Sequence, residues 1–346
     1  MAENLVLAFF ALLPPLCGLV LYRYFTAKPA AFARRPRLDL LMGNGLVLLL
    51  LLSFILLAAE IYYRFIYDTT DAFGLARVTR DWMMKHEKMN RFGFRDSVEY
   101  QIDRGPGKRR ITFVGDSFTA GHGVPNVEDR FANLVRAAHP DWEVQVLATN
   151  GFDTGHELKL VKQLAGARYP FDLVVLVYCL NDIADIVPEW KRINEKIYAR
   201  GRPPFLIDHS YFLNTWYYRL RSARDPEIKQ YYSFVIDAYQ GSLWTTQQER
   251  LESMAEFVRA DGGRFLVVVF PFLHRIGPDY EYGAVHAQIG HFCAEIEAPH
   301  LDLLATYSGH RSRDLIVNPR DPHPNEHAHA LAADAISAFI AEHAVQ

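Results

Sequence analysis

"ITFVGDSFTAGHGV", residues 111–124, decides how the rest of the chain is read. A largely apolar run, Ile111 to Val114, stops abruptly at Gly115-Asp116-Ser117. Such a run predicts a strand covered on both faces. The small residues and glycines that follow favour a tight turn into a helix. A serine placed there has an exposed hydroxyl and a cluster of backbone N–H groups that suits a developing oxyanion. Alone, such a serine is more often an ordinary helix cap. The choice rests on what the neighbouring strand ends carry.

Outward from that turn, "EVQVLAT" (143–149), "DLVVLVYC" (172–179), "RFLVVVF" (264–270) and "HLDLL" (300–304) read as further strands after "RITFVG" (110–115). Helical patterns fall between them at about 128–138, 155–168, 246–261, 283–296 and 326–343. This order predicts an α/β fold, a three-layer sandwich with a parallel five-stranded sheet and helices on both faces. Such sheets place their sites at the C-terminal ends of strands. Ser117, Asn181 and His323 follow the first, third and last strands. An insertion at about 183–245 is rich in aromatics, among them Trp190, Trp216, Tyr231 and Trp244. It reads as a satellite hydrophobic cluster, or as a lid or substrate wall facing a sugar or the membrane.

Upstream, residues 68–109 read as a connector ending in the polar turn "DRGPGKRR" (103–110). Residues 5–22, "LVLAFFALLPPLCGLVLY", and 40–59, "LLMGNGLVLLLLLSFILLAA", carry no charged side chain. About 20 apolar residues cross a bilayer core as a helix. The second stretch qualifies, and the first is shorter and holds Pro14-Pro15, which predicts a kink. Between them lie Arg23, Lys28, Arg34, Arg35 and Arg37 against Asp39. Short basic loops stay cytoplasmic. The expected topology puts everything after residue 60 on the extracytoplasmic, periplasmic side of an inner or plasma membrane. Tyr62, Tyr63, Phe65 and Tyr67 suit the headgroup level. A cleaved signal peptide over 1–30 fits less well, because "MAEN" lacks a positive start. The leucine run at 48–52 argues against a buried hairpin. The expected organisation is a two-helix membrane anchor (1–67), a connector (68–109) and an α/β domain (110–346) that carries the insertion.

Composition narrows the class. Of 346 residues, 50% are hydrophobic and 22% charged, enough for a packed core. The net charge of −3 leaves no electrostatic footprint for nucleic acid. Cys17, Cys179 and Cys293 form neither a disulfide framework nor a zinc pattern, although Cys179 and Cys293 can pair outside the cytoplasm. Nothing in the pattern sets an oligomeric state.

The motifs together resemble the SGNH/GDSL hydrolase superfamily. Gly115-Asp116-Ser117 matches block I. Gly151 in "TNGFDTGHEL" (149–158) matches the block II glycine. Asn181 in "CLND" (179–182) matches the block III asparagine. His323 in "RDPHPNEHAH" (320–329) matches the block V histidine. The resemblance covers about 110–345 and departs from the pattern twice. Cys179 stands where block III has glycine. The acid expected three residues before the histidine is Arg320 here, and Asp321 lies two before.

The resemblance implies that Ser117 attacks an ester carbonyl, His323 is its general base and Asp321 orients His323. It implies an oxyanion hole of the Ser117 and Gly151 N–H groups and the Asn181 amide, with no cofactor. The expected chemistry is ester hydrolysis or acyl transfer on a cell-envelope substrate, an O-acetylated glycan first and a lipid acyl chain second. Asp116 is expected to be a cap. Two rivals stand beside this. One is a silent module of the same fold that holds an acylated glycan. The other is a metal site at Asp321, His323 and His327, near Glu326 and His329, with His122, His156 and His274 scattered elsewhere.

Overall fold

The computed structural model describes residues 1–27, 35–198 and 201–344. Lys28 and Arg34 of the basic loop lie outside the described residues. The chain divides into two compact units. One comprises residues 1–69, 74–82 and 200–225, the other 70–73, 83–199 and 226–346. The aromatic insertion is therefore shared between them.

In the larger unit, β1 (Arg109–Gly115), β2 (Trp142–Ala148), β3 (Leu173–Cys179), β4 (Arg264–Phe270) and β5 (His300–Asp302) form one sheet. Its order is β2-β1-β3-β4-β5, and every pairing is parallel. β3 is central and all its residues are buried, which is why "DLVVLVYC" shows no polar alternation. The helix Phe131–Ala138 leads from β1 to β2, and Thr154–Gly166 leads from β2 to β3. The chain reverses direction across the sheet between these crossovers. Right-handed crossovers then put the two helices on opposite faces. The reversal makes the ends of β1 and β3 the switch point at which such folds bind their ligands. The helices Ser242–Ala260, Gly283–Glu295 and Glu326–Ala344 complete the layers.

One element was not foreseen. β6 (Ile316–Asn318) and β7 (Asp321–Pro324) form an antiparallel hairpin after β5. His323 therefore lies in a strand of its own rather than in a turn. The reason is local. Asp321 and His323 each precede a proline, Pro322 and Pro324. The residue before a proline is pushed into the extended region, so "DPHP" is held straight. Cys179 and Cys293 are free and buried, each within the apolar core. The disulfide considered from the sequence does not form.

The segment expected as a connector supplies buried charges. Asp96 pairs with Arg130 at 3.2 Å and Arg136 at 2.6 Å, and accepts from the Tyr100 hydroxyl. Arg95 donates to the Gly121 and Val124 carbonyls, which fixes the loop after Ser117.

In the smaller unit, the helices Ala2–Thr26 and Pro36–Phe65 are both long and apolar enough to cross a membrane. At 1.5 Å per residue, 25 and 30 residues exceed a core about 30 Å thick. The first helix runs through Pro14 and Pro15 without a break. The Tyr24 hydroxyl donates to Asp39 at one end of the pair, at 2.6 Å, and Arg64 donates to the Glu3 carbonyl at the other, at 2.9 Å. Beside them lie the helices Phe205–His209 and Tyr211–Arg224.

Candidate active site

Ser117 opens a short helix, Ser117–Ala120, directly after β1. Asp116 caps it, accepting the Phe118 N–H at 2.8 Å. Gly115 is required for space. A Cβ there would meet the Thr119 hydroxyl oxygen at 2.3 Å and the Val177 carbonyl at 2.9 Å. The strand can thus end close against β3, with Ser117 at the switch point.

The Ser117 hydroxyl lies 2.8 Å from His323 Nε2, and His323 Nδ1 is hydrogen-bonded to Asp321 Oδ1. A proton on Nδ1 leaves Nε2 free to accept from the serine. Successive strand residues alternate in direction, so positions two apart share a face. Asp321 and His323 therefore stand side by side in β7. The departure from the family spacing is a change of local structure, and the carboxylate still meets the ring. The His323 backbone N–H also reaches Asp321 Oδ1, at 3.2 Å. Burial pushes the Asp321 carboxyl up. The adjoining His323, with His122 and the Thr70 hydroxyl, outweighs that and holds it well below the usual carboxylate range.

The second oxygen of Asp321 is held by residues the sequence reading did not assign. Thr70 donates to Oδ2, and His122 Nε2 lies 3.5 Å from it. The other nitrogen of His122 meets Glu87 at 3.2 Å. Asn150 donates to Glu87 at 2.9 Å. The His122 ring packs against His323 with centroids 4.7 Å apart. Burial lowers the basicity of His122, but Glu87 and Asp321 overcome it and the ring is raised. His122 carried a local signal, since it follows Ser117 by one helical turn and a glycine. Thr70 carried none, standing far away in the chain.

Gly151 and Asn181 follow β2 and β3, the two neighbours of β1. The Phe152 N–H returns to the Thr149 carbonyl at 3.1 Å. This closes a four-residue turn with Gly151 in third place at φ +81°, a position that favours glycine. Asn181 sits in a turn tied by Asp182, whose carboxyl Oδ2 accepts the Cys179 N–H at 2.9 Å and whose backbone carbonyl accepts the Thr154 N–H at 3.1 Å. The Asp116 carboxyl beside Ser117 is buried, and burial raises it.

His122, Asp321 and His323 offer ligand atoms close enough together for a metal ion. Both nitrogens of His323 are already engaged within the site, however, and one of His122 faces Glu87. The structure does not gather the cluster considered from the sequence. His327 packs against His310, while His329 is buried against Phe131 and burial lowers it to about 3.

Residues 113–331 match the GDSL-like Lipase/Acylhydrolase family. The chain belongs to that family. Ester hydrolysis is thus its general chemistry. No curated protein matches the chain. Solved structures that resemble it include the psychrotrophic esterase EstA from a Pseudoalteromonas species, 13% identical, covering 69% of this chain and 100% of that one, TM-score 0.42. The extracellular lipase from Streptomyces rimosus is 15% identical over 67% of this chain and 100% of its own, TM-score 0.44. A lipase/acylhydrolase from Enterococcus faecalis is 16% identical over 67% and 95%, TM-score 0.40. Within this GDSL-like chain, the family match takes in Ser117, Gly151, Asn181, Asp321 and His323.

Proposed function

We propose that the chain is a membrane-anchored serine esterase or O-acyltransferase that acts on acyl or acetyl esters of a cell-envelope or exported glycan. The observation that carries this is the line Ser117–His323–Asp321, with Nε2 facing the hydroxyl and Nδ1 facing the carboxylate. His323 takes the Ser117 proton as the hydroxyl oxygen adds to the ester carbonyl. The oxyanion is held by the Ser117 and Gly151 N–H groups and the Asn181 amide. As the carbonyl re-forms, His323 returns the proton to the departing alcohol and leaves an acyl-serine. Water or a sugar hydroxyl, deprotonated by His323, then releases the acyl group. Thr70 and His122 are positioning residues that fix Asp321.

A cluster of partly buried aromatics in the same unit is compatible with a glycan or an acyl chain as substrate. Trp190 and Tyr231 pack at 4.5 Å, Tyr231 and Tyr232 at 5.1 Å, and Tyr232 and Phe272 at 5.0 Å. Burial raises the Tyr232 hydroxyl, and the Asp321 charge reaches it too. The two apolar helices support the anchor, and the basic loop supports an extracytoplasmic domain.

The test is a panel of acetyl and longer acyl esters, with and without oligosaccharide acceptors, followed for free acid and acylated acceptor. Acid alone identifies a hydrolase, and acylated acceptor a transferase. No turnover of any ester would favour the silent module.

A further inference from the structure

Part of the aromatic insertion belongs to the smaller unit and carries an apolar face that none of that unit's described residues covers. On the helix Tyr211–Arg224, one side packs inward through Tyr211, Asn214 and Thr215. The other shows Trp216, 38% exposed, Leu220, 46% exposed, and Ala223. These positions follow the i, i+4, i+7 pattern of a single helical stripe. The preceding short helix adds Phe205, 58% exposed, and Leu206.

This helix is fixed to the end of the second apolar helix. Glu60 is fully buried and accepts the Ser210 hydroxyl at 2.6 Å, the Tyr211 N–H at 3.0 Å and the Phe212 N–H at 3.1 Å. A carboxylate thus closes the helix N-terminus, where negative charge is favoured. Arg219 donates to the Tyr63 hydroxyl at 3.2 Å and to Tyr67, and lies over the Trp216 ring at 5.9 Å. Tyr63 and Tyr67 are the aromatics that suit headgroup depth. Charge agrees with that depth. Residues 202–224 hold Arg202, Arg219, Arg221 and Arg224, and their only acid, Asp208, is buried.

We propose that the helix Tyr211–Arg224 is an interfacial helix. Trp216 and Leu220 enter the boundary between headgroups and acyl chains, and Arg202 and Arg224 meet lipid phosphates. A basic helix with a Trp/Leu face lies in the interface in this way. The occupant of the apolar stripe is the lipid surface itself. The proposal rests on the reading of Pro36–Phe65 as a membrane span.

The test uses bromine-labelled lipid, which quenches tryptophan only at short range. None of Trp82, Trp142, Trp190, Trp216 and Trp244 lies in residues 1–67. The full chain is reconstituted in vesicles of phosphatidylcholine and phosphatidylglycerol with bromines high or low on the acyl chain. High bromines should quench the chain more than low ones, and Trp216→Phe should abolish most of that quenching. A Leu49→Trp change in the Trp216→Phe background tests the span separately and should restore quenching by low bromines. If Leu49→Trp is quenched but Trp216 is not, the interfacial helix is wrong and the span stands. If neither is quenched, the membrane reading falls with it. Trp216 emission that shifts with protein concentration but ignores bromines would mean a second copy covers the stripe, which also overturns the proposal.

Discussion

Asp321 and His323 stand two residues apart on one face of β7, and the carboxylate of the first holds Nδ1 of the second. The prolines that follow each of them keep the strand extended. The pair is therefore built by four consecutive residues, with Thr70 and His122 steadying the far oxygen. If this pair sets the tautomer of His323, Asp321→Asn should lower kcat by roughly 10³–10⁴ with little change in KM. A loss below about tenfold, in a variant with unchanged melting temperature, would mean that the acid role lies elsewhere.

His122 should act through Asp321 and not on the ester. Removing a contact of this kind is worth roughly 1–2 kcal/mol, so His122→Gln should lower kcat by about 5–30-fold. A double-mutant cycle checks it. In the Asp321→Asn background, His122→Gln should add almost nothing. Full additivity would assign His122 a role independent of Asp321.

The sheet could be read from the sequence because β3 and β4 are almost unbroken apolar runs, and the strand that ends at Gly115 lies within a residue of its expected bounds. The helix Ser242–Ala260 begins earlier than its periodicity suggests, since Gly241 at φ +68° turns the chain into it. Three features were not legible. The β6–β7 hairpin is too short to show a period, although "DPHP" did hold its proline signal. Thr70, Glu87 and Asn150 reach the site through the tertiary fold, and no local spacing announces them. Glu60 caps a helix of the insertion 150 residues away, a contact that no window along the chain contains.

Glu157 offers a pH test. It is fully buried, and neither carboxyl oxygen has a hydrogen-bond partner among the described residues. Burial, then the charges of Asp116, Asp153 and Asp185, push its carboxyl well above the usual range. In the unfolded chain it titrates near 4.3, about the model-peptide value. The folded state therefore binds more protons than the unfolded state from that pH up to the raised value. Stability falls as pH rises through this window. Glu157→Gln removes the effect. Its melting temperature should exceed that of the parent by more at about pH 8 than at about pH 5. An equal difference at both values would show that Glu157 is charged in the folded protein.

Asp96 joins the former connector to the sheet unit. Arg130 is fully buried beside it. Asp96→Asn leaves that guanidinium without its charge partner, and breaking a buried pair in this way costs about 3–5 kcal/mol. Chemical denaturation should report a loss of that size. A loss under about 1 kcal/mol would place the pair among solvent-screened bridges.

The central claim is that Ser117 carries the acyl group. The direct measurement is mass spectrometry of the full chain after a fluorophosphonate, and separately after brief exposure to an activated acetyl ester. The phosphonyl adduct, and the transient acetyl adduct, should each map to the peptide containing Ser117. Both should vanish in Ser117→Ala, and the phosphonyl adduct should form far more slowly in His323→Ala. An adduct on another residue, or ester turnover that survives Ser117→Ala, would contradict the account.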